Sequence, residues 1–338
     1  LHEAIEAHGL VKRYVTWERR GLFRRRRRSV EALRGVSFTT RWSEVFGLLG
    51  PNGAGKTTTV KILSTLLLPD EGEARVAGYD VVSEAVMVRD SIGVVLSVER
   101  GFFWKLTGRE NLRYFGMLHG LRGRELEERV SRVLRLVGLE ELGAADKLYE
   151  EYSLGMKARL ALARALLHDP RVLILDEPTL GLDPVSARRI RELVVRLAHE
   201  EQRAVLITTH NMFEAEMICD RVAIIDEGVI KAIGSPRELK AKIAHSVPIV
   251  IRFRGERGPE EAEKALRAEL KVLGLGVKPV EDGYVARILV RSGEDEEVLA
   301  RAIAVLARLG FSIRSVEVSK PSLEDVFVAL TTREKSGA

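Results

Sequence analysis

Within eight residues, Gly50-Pro51-Asn52-Gly53-Ala54-Gly55-Lys56-Thr57, the chain collects three glycines, a lysine and a hydroxyl. Glycines permit positive φ and close backbone approach, so successive N–H groups and a following helix N-terminus can surround an anion. The pattern is that of a phosphate loop. Lys56 would neutralise the β- and γ-phosphates of a nucleoside triphosphate such as ATP, and the Thr57 hydroxyl would hold Mg²⁺. Thr58 completes the candidate phosphate-binding set. The motif requires a strand before it and a helix after it, and the flanks comply: Val45 to Leu49 is an apolar run, and Lys56 to Leu66 reads as helix up to Pro69.

A second constellation lies 120 residues on, where Val172-Leu173-Ile174-Leu175 ends in Asp176-Glu177. A buried strand that ends in two carboxylates at the C-terminal edge of a sheet belongs beside such a loop. Asp176 would position Mg²⁺, through water. Glu177 would polarise the attacking water as general base, since in-line attack needs an acceptor on the side opposite the leaving group.

The elements that must position these groups can be read along the chain. At 338 residues with 46% hydrophobic content, two domains with ordinary cores are expected. No run of eighteen apolar residues and no charged-then-apolar leader is seen, so the expectation is a chain that neither spans a membrane nor leaves the cytosol. The single cysteine, Cys219, excludes an internal disulfide framework and reads as buried filler. Short strands open the chain, to Tyr14, at Val36 to Thr40 and at Val45 to Leu49, with a basic hairpin insertion between the first two. A helical subdomain follows at about 98–167, with apolar positions three or four apart at Val130, Val133, Leu134 and Val137. Val172 to Leu175, Ala204 to Thr208 and Val222 to Ile225 read as buried parallel strands. Past Ser235-Pro236 the order becomes strand 247–254, helix 259–273, strands 275–280 and 284–291, helix 294–309, strand 312–319 and a short helix from Ser322. That is a small ferredoxin-like α+β domain over 246–338, after a first domain at 1–245.

With these motifs in place, residues 1 to about 240 resemble the nucleotide-binding subunits of ABC transporters. The resemblance implies a RecA-like α/β core with an antiparallel β edge and an inserted helical subdomain. It puts Tyr14 against adenine. Tyr152-Ser153-Leu154-Gly155-Met156 stands at the signature position, where the usual motif is Leu-Ser-Gly-Gly-Gln, and Ser153 and Gly155 are the two retained residues. Gly181-Leu182-Asp183 matches the loop whose aspartate contacts a partner subunit, and His210 matches the histidine that senses the γ-phosphate. Two ATP molecules are then expected between two nucleotide-binding subunits, a homodimer or a paired heterodimer, driving a separate transmembrane permease subunit from the cytoplasmic face of the membrane. The family's glutamine after Ile92-Gly93-Val94-Val95-Leu96 is absent. Ser97 is the candidate replacement toward Mg²⁺, with Glu99 second.

Three other readings come from the same sequence. Phe102-Phe103-Trp104 lies where the family docks its transmembrane subunit, and at least one of these rings is expected to be exposed. Arg24 to Arg28 equal the whole net charge of +5. Besides a solvated loop, this tract could contact anionic lipid at about 1 kcal/mol per arginine; nucleic acid is not expected, because no aromatics interleave it. The ending Pro321-Ser322-Leu323-Glu324-Asp325-Val326-Phe327 resembles subunits that serve exporters of drugs, ions or polysaccharides. A soluble ABC ATPase and a nucleotide-gated, non-hydrolytic scaffold are the alternatives.

Overall fold

The computed structural model describes residues 3–19, 25–99, 101–243, 245–318 and 321–335. Two compact units divide the chain, Leu1–Ile233 and Gly234–Ala338. In chain order the first runs β1 (Ile5–Arg19), β2 (Arg25–Thr40), β3 (Val45–Leu49), α1 (Lys56–Leu63), β4 (Glu71–Val76), β5 (Tyr79–Asp80), α2 (Ala85–Ser91), β6 (Ile92–Val95), α3 (Gly108–Leu118), α4 (Gly123–Leu136), α5 (Leu154–Leu166), β7 (Val172–Asp176), α6 (Pro184–His199), β8 (Ala204–Thr209), α7 (Met212–Ile218), β9 (Arg221–Asp226) and β10 (Val229–Gly234).

Two sheets organise this unit. The larger has the order β10-β9-β3-β8-β7-β6, with β9 through β6 parallel. Its central strands are buried on both faces, one of them against the antiparallel sheet and α1, so their sequences are continuous rather than alternating. The second sheet, β2-β1-β4-β5, is antiparallel. Both contribute to one core, in which Ile5, Leu33, Phe46, Ile62, Val76 and Ile174 are buried together.

The basic insertion departs from the sequence expectation. β2 begins at Arg25 rather than Val36, with Trp17 opposite Arg27 and Arg19 opposite Arg25. Backbone pairing in an antiparallel ladder needs no apolar side chains, so charge density did not prevent the strand from extending. Arg24 and the side chains of Arg25 to Arg28 lie outside the described residues, and so does the lipid contact expected there.

In the helical segment, α3 starts at a reciprocal capping box between Thr107 and Glu110. The α4 face Leu126, Val130, Val133 and Leu134 is buried at helical spacing. Asn111 is fully buried, and its amide bonds to the carbonyls of Phe103, Leu106 and Thr107, which holds the 103–107 loop on the helices.

The second unit begins at Gly234, earlier than the 246 read from sequence. The residues between form α8 (Pro236–Ala241), announced by proline at its first turn and a Ser235–Glu238 capping box. Then come β11 (Ser246–Arg254), α9 (Pro259–Glu269), β12 (Gly274–Val280), β13 (Gly283–Arg291), α10 (Asp295–Arg308), β14 (Ser312–Val318) and α11 (Leu323–Lys335). The antiparallel order β12-β13-β11-β14 is that of a ferredoxin-like sheet. Its core joins Ile249, Ile251 and Phe253 of β11 to Leu266 of α9 and Ala302 and Leu306 of α10. The closing helix α11 is longer than the short one expected. No described helix is long and apolar enough to cross a membrane.

Candidate functional site

Strand order explains how distant motifs meet. Because β8 lies between β3 and β7, the ends of three parallel strands stand side by side. Gly50 follows β3, His210 follows β8, and Asp176-Glu177 close β7. The glycines of the loop serve different needs. A Cβ on Gly50 would come within 2.2 Å of the Ile225 carbonyl oxygen, so the loop lies directly on β9. Gly53 and Gly55 have φ of +84° and +108°, which glycine alone adopts without strain.

Lys56 is buried at the start of α1, and its ammonium donates to the carbonyl oxygens of Gly50 at 2.7 Å and Pro51 at 3.0 Å. The same nitrogen is 3.5 Å from Glu177 Oε1, while His210 Nδ1 is 2.6 Å from Glu177 Oε2. Glu177 therefore lies between a buried lysine and a half-exposed histidine. Its backbone is left-handed, φ +50°, an unfavourable conformation for a non-glycine residue. Thr208 holds that turn: the Glu177 N–H donates both to the Thr208 carbonyl and to its hydroxyl, each at 3.1 Å.

Thr57 donates its hydroxyl to Asp176 Oδ2 at 2.9 Å, and Thr208 donates to the other carboxylate oxygen, Oδ1. A hydroxyl and a carboxylate are the hard oxygen donors that suit Mg²⁺, which is bound through one or two such protein groups plus phosphate and water. Among the described residues no cluster of three or more His, Cys, Asp or Glu could hold an ion alone. The donor set fits a metal held jointly with a phosphate. Ser97, just after β6, shares with Thr57 and Asp176 the lining of a cavity of about 900 Å³. Glu99 turns elsewhere, with Oε1 3.3 Å from the Lys157 ammonium of α5.

Tyr14, on β1, keeps an exposed ring and lies 3.4 Å by its hydroxyl from Thr58 Oγ1. The antiparallel edge thus brings an aromatic face to the flank of α1.

A separate grouping forms around the N-termini of α5 and α6. Ser153 is exposed and caps α5, accepting from the Met156 N–H at 3.2 Å. Asp183 caps α6, accepting from the N–H groups of Val185 and Ser186. Gly155 is buried, and a Cβ there would meet Ser186 Oγ at 2.4 Å. The structure thus gives that glycine a packing duty that the sequence reading missed: it lets α6 approach α5.

Two further residues escaped the sequence reading. Thr208 ties together the backbone of Glu177 and the side chain of Asp176. Glu214, 1% exposed, accepts from the hydroxyls of Thr179 at 2.6 Å and Thr209 at 3.0 Å, binding the turn after Glu177 to the turn that carries His210. The signal was present in the spacing Asn211-x-x-Glu214, because Asn211 caps α7.

Of the three aromatics, Phe102 is buried between Tyr149 and Arg164, whereas Phe103 and Trp104 are 45% and 68% exposed. Tyr114, Met117 and Leu118 of α3 are exposed as well.

The ABC transporter family profile matches residues 33–180. The daunorubicin/doxorubicin resistance ATP-binding protein DrrA of Streptomyces peucetius is 38% identical over 331 residues, covering 97% of this chain and 92% of that protein. The linearmycin resistance ATP-binding protein LnrL of Bacillus subtilis (strain 168) is 37% identical, over 89% of this chain and 94% of the relative. Among solved structures, a dimeric ATP-binding cassette in a post-hydrolysis state, bound to ADP and phosphate, superposes with a TM-score of 0.60 at 25% identity, covering 68% of this chain and 98% of that one. The cbiO1 protein of Clostridium perfringens, part of an ABC transporter complex, gives a TM-score of 0.61 at 27% identity, over 72% and 92%. With 37–38% identity over nearly the full length of such relatives and the two motifs assembled on a RecA-like core, the chain belongs to the family of ABC transporter ATP-binding subunits, which hydrolyse ATP.

Proposed function

We propose that this chain powers export through a separate transmembrane permease subunit, by closing over ATP and Mg²⁺ as a pair of copies and opening after hydrolysis. The observation that carries the reading is the placement of Glu177 between Lys56 and His210. ATP lies along Gly50 to Thr58, with adenine against Tyr14. Its γ-phosphate competes with Glu177 for the Lys56 ammonium. The freed carboxylate then takes the proton of the attacking water, and His210, bonded to its other oxygen, holds it in line. Thr57, Asp176 and, through water, Ser97 would hold Mg²⁺, which when bound offsets the charge gathering on the phosphate oxygens.

Ser153 and Gly155 of one copy, with Asp183, meet the nucleotide of the other. The exposed Ser153 hydroxyl at a helix N-terminus is suited to a phosphate oxygen. Exposed Phe103 and Trp104, with Tyr114, form the apolar surface against which the permease docks. Export of a drug-like cargo is inferred from the resistance proteins DrrA and LnrL. The chain then works at the cytoplasmic face of the membrane, where Arg24 to Arg28 would meet anionic headgroups. Its pairing is with itself or with a sister subunit.

The deciding experiment is light scattering of the Glu177→Gln chain with ATP and Mg²⁺. A dimer that accumulates with ATP and is lost on adding Ser153→Arg is expected. A monomer under all nucleotide conditions would overturn the paired mechanism.

A further inference from the structure

Away from the phosphate loop, a cavity of about 700 Å³ opens between α4, α5 and α6, within the range of small-molecule sites. Its walls carry Arg132, Arg135, Arg159, Arg189 and Arg196. The carboxylates on the same walls are Glu141, Glu192 and Glu200, so the lining holds five cations against three anions.

Arg159 is the residue that makes this more than a solvated arginine face. It is 7% exposed, and among the described residues its guanidinium donates to one acceptor, the Val137 carbonyl at the C-terminus of α4, at 2.8 Å. A buried guanidinium is ordinarily matched by a bidentate carboxylate. Here the opposing charges are mixed: burial and then the Arg189 charge push Arg159 below its ordinary value, and Glu141 offsets this in part. Elsewhere on the walls, Glu192 pairs with Arg188 at 2.8 Å, and Arg135 approaches Glu140 at 3.7 Å, outside the cavity lining. Arg196 donates to the Leu136 carbonyl. Arg159 and Arg189 thus line one cavity, near enough for the charge of Arg189 to bear on Arg159, and among the described residues neither guanidinium is in a salt bridge with a carboxylate.

We propose that this cavity is a second anion site, in which Arg159 and Arg189, supported by Arg132, clamp the clustered phosphoryl oxygens of a polyvalent phosphate. The planar donor fork of arginine matches such oxygens two at a time. Bound there, the anion joins α5 to α6. Those helices begin at Ser153 and Asp183, so occupancy fixes the spacing of the two segments that the proposed function aims at the partner's nucleotide. That regulatory clause rests on the proposed function; the binding itself does not.

The test uses the full chain carrying Lys56→Ala, which removes the phosphate-loop lysine from the reading. Thermal unfolding is followed with inorganic pyrophosphate and, separately, with vesicles containing phosphatidate. A rise in Tm with pyrophosphate assigns a free oligophosphate, and a rise with the vesicles alone assigns a lipid headgroup; either supports the site. Arg189→Gln, at an exposed position, is expected to weaken the response at least tenfold in ligand concentration. Arg189→Glu supplies the missing carboxylate, so it should raise Tm without ligand and abolish the response. No response to either probe, or a response that Arg189→Gln and Arg189→Glu leave intact, would overturn the assignment.

Discussion

Two carboxylates near the chain's functional motifs are held in opposite ways. Glu177 has a cationic or protonatable group at each oxygen, Lys56 on one side and His210 on the other. Asp183 is exposed and directs its oxygen to backbone N–H groups of its own helix. The first arrangement holds a charge where it can be exchanged with an incoming phosphate. The second holds a shape, the entry of α6, against which Gly155 and Ser153 are set. Charge placement in one region and backbone placement in the other lead to different expectations under mutation.

The largest effect should come from Glu177→Gln. It keeps size and hydrogen bonding but removes the proton acceptor, so steady-state hydrolysis should fall by about 10²–10⁴-fold while ATP binding persists. Activity within tenfold of the parent would show that Glu177 is not the base.

His210→Ala comes next. Removing one hydrogen bond to a charged group costs about 1.5–3 kcal/mol, so kcat should fall by roughly ten- to a hundredfold. His210→Gln, which can still donate to Glu177, should recover part of that loss. Equal losses in the two variants would mean that the ring acts on something other than Glu177.

The opposite region should answer through packing. Gly155→Ala places a methyl 2.4 Å from Ser186 Oγ and 2.9 Å from its Cβ. Overpacking of this kind costs about 1–3 kcal/mol, visible as a lower urea midpoint. Ser186→Gly removes both clashing atoms and should rescue most of the stability. If rescue fails, Gly155 is needed for its backbone and not for the approach of α6.

These differences track what could be read in the sequence. The phosphate loop, the Asp176-Glu177 strand end and the βαββαβ order of the second unit were legible because each is a local pattern of glycine, charge or apolar period. Thr208 was not, since Glu177 and Asp176 lie 31 and 32 residues away in sequence and meet it only through the β3-β8-β7 order; the helix cap at Asn211 marked the place of Glu214 but not its tie to Thr179, 35 residues away. The packing duty of Gly155 was hidden for the same reason: its neighbour Ser186 is on another helix. β2 extends beyond what its side-chain polarity indicates because backbone pairing sustains the hairpin. The α8 signals, Ser235, Pro236 and Glu238, are local, but they mark only a six-residue helix beside the larger change of pattern that follows.

The smallest predicted effect isolates Asp183. The Ser186 hydroxyl first, then the N–H groups of Ser186 and Val185, hold its carboxyl below the ordinary value of 3.8. With the folded value lower than the unfolded one, the unfolded chain takes up the proton first as pH falls. The capping contribution is therefore complete above 3.8 and is lost as pH drops through the depressed folded value. Asparagine caps about as well as aspartate but does not titrate. Asp183→Asn should leave the urea midpoint near neutral pH almost unchanged and make its decline below 3.8 slightly shallower than in the parent. A large loss at neutral pH would show instead that the charge itself, and not the cap geometry, sets the start of α6, and the contrast with Glu177 would then fail.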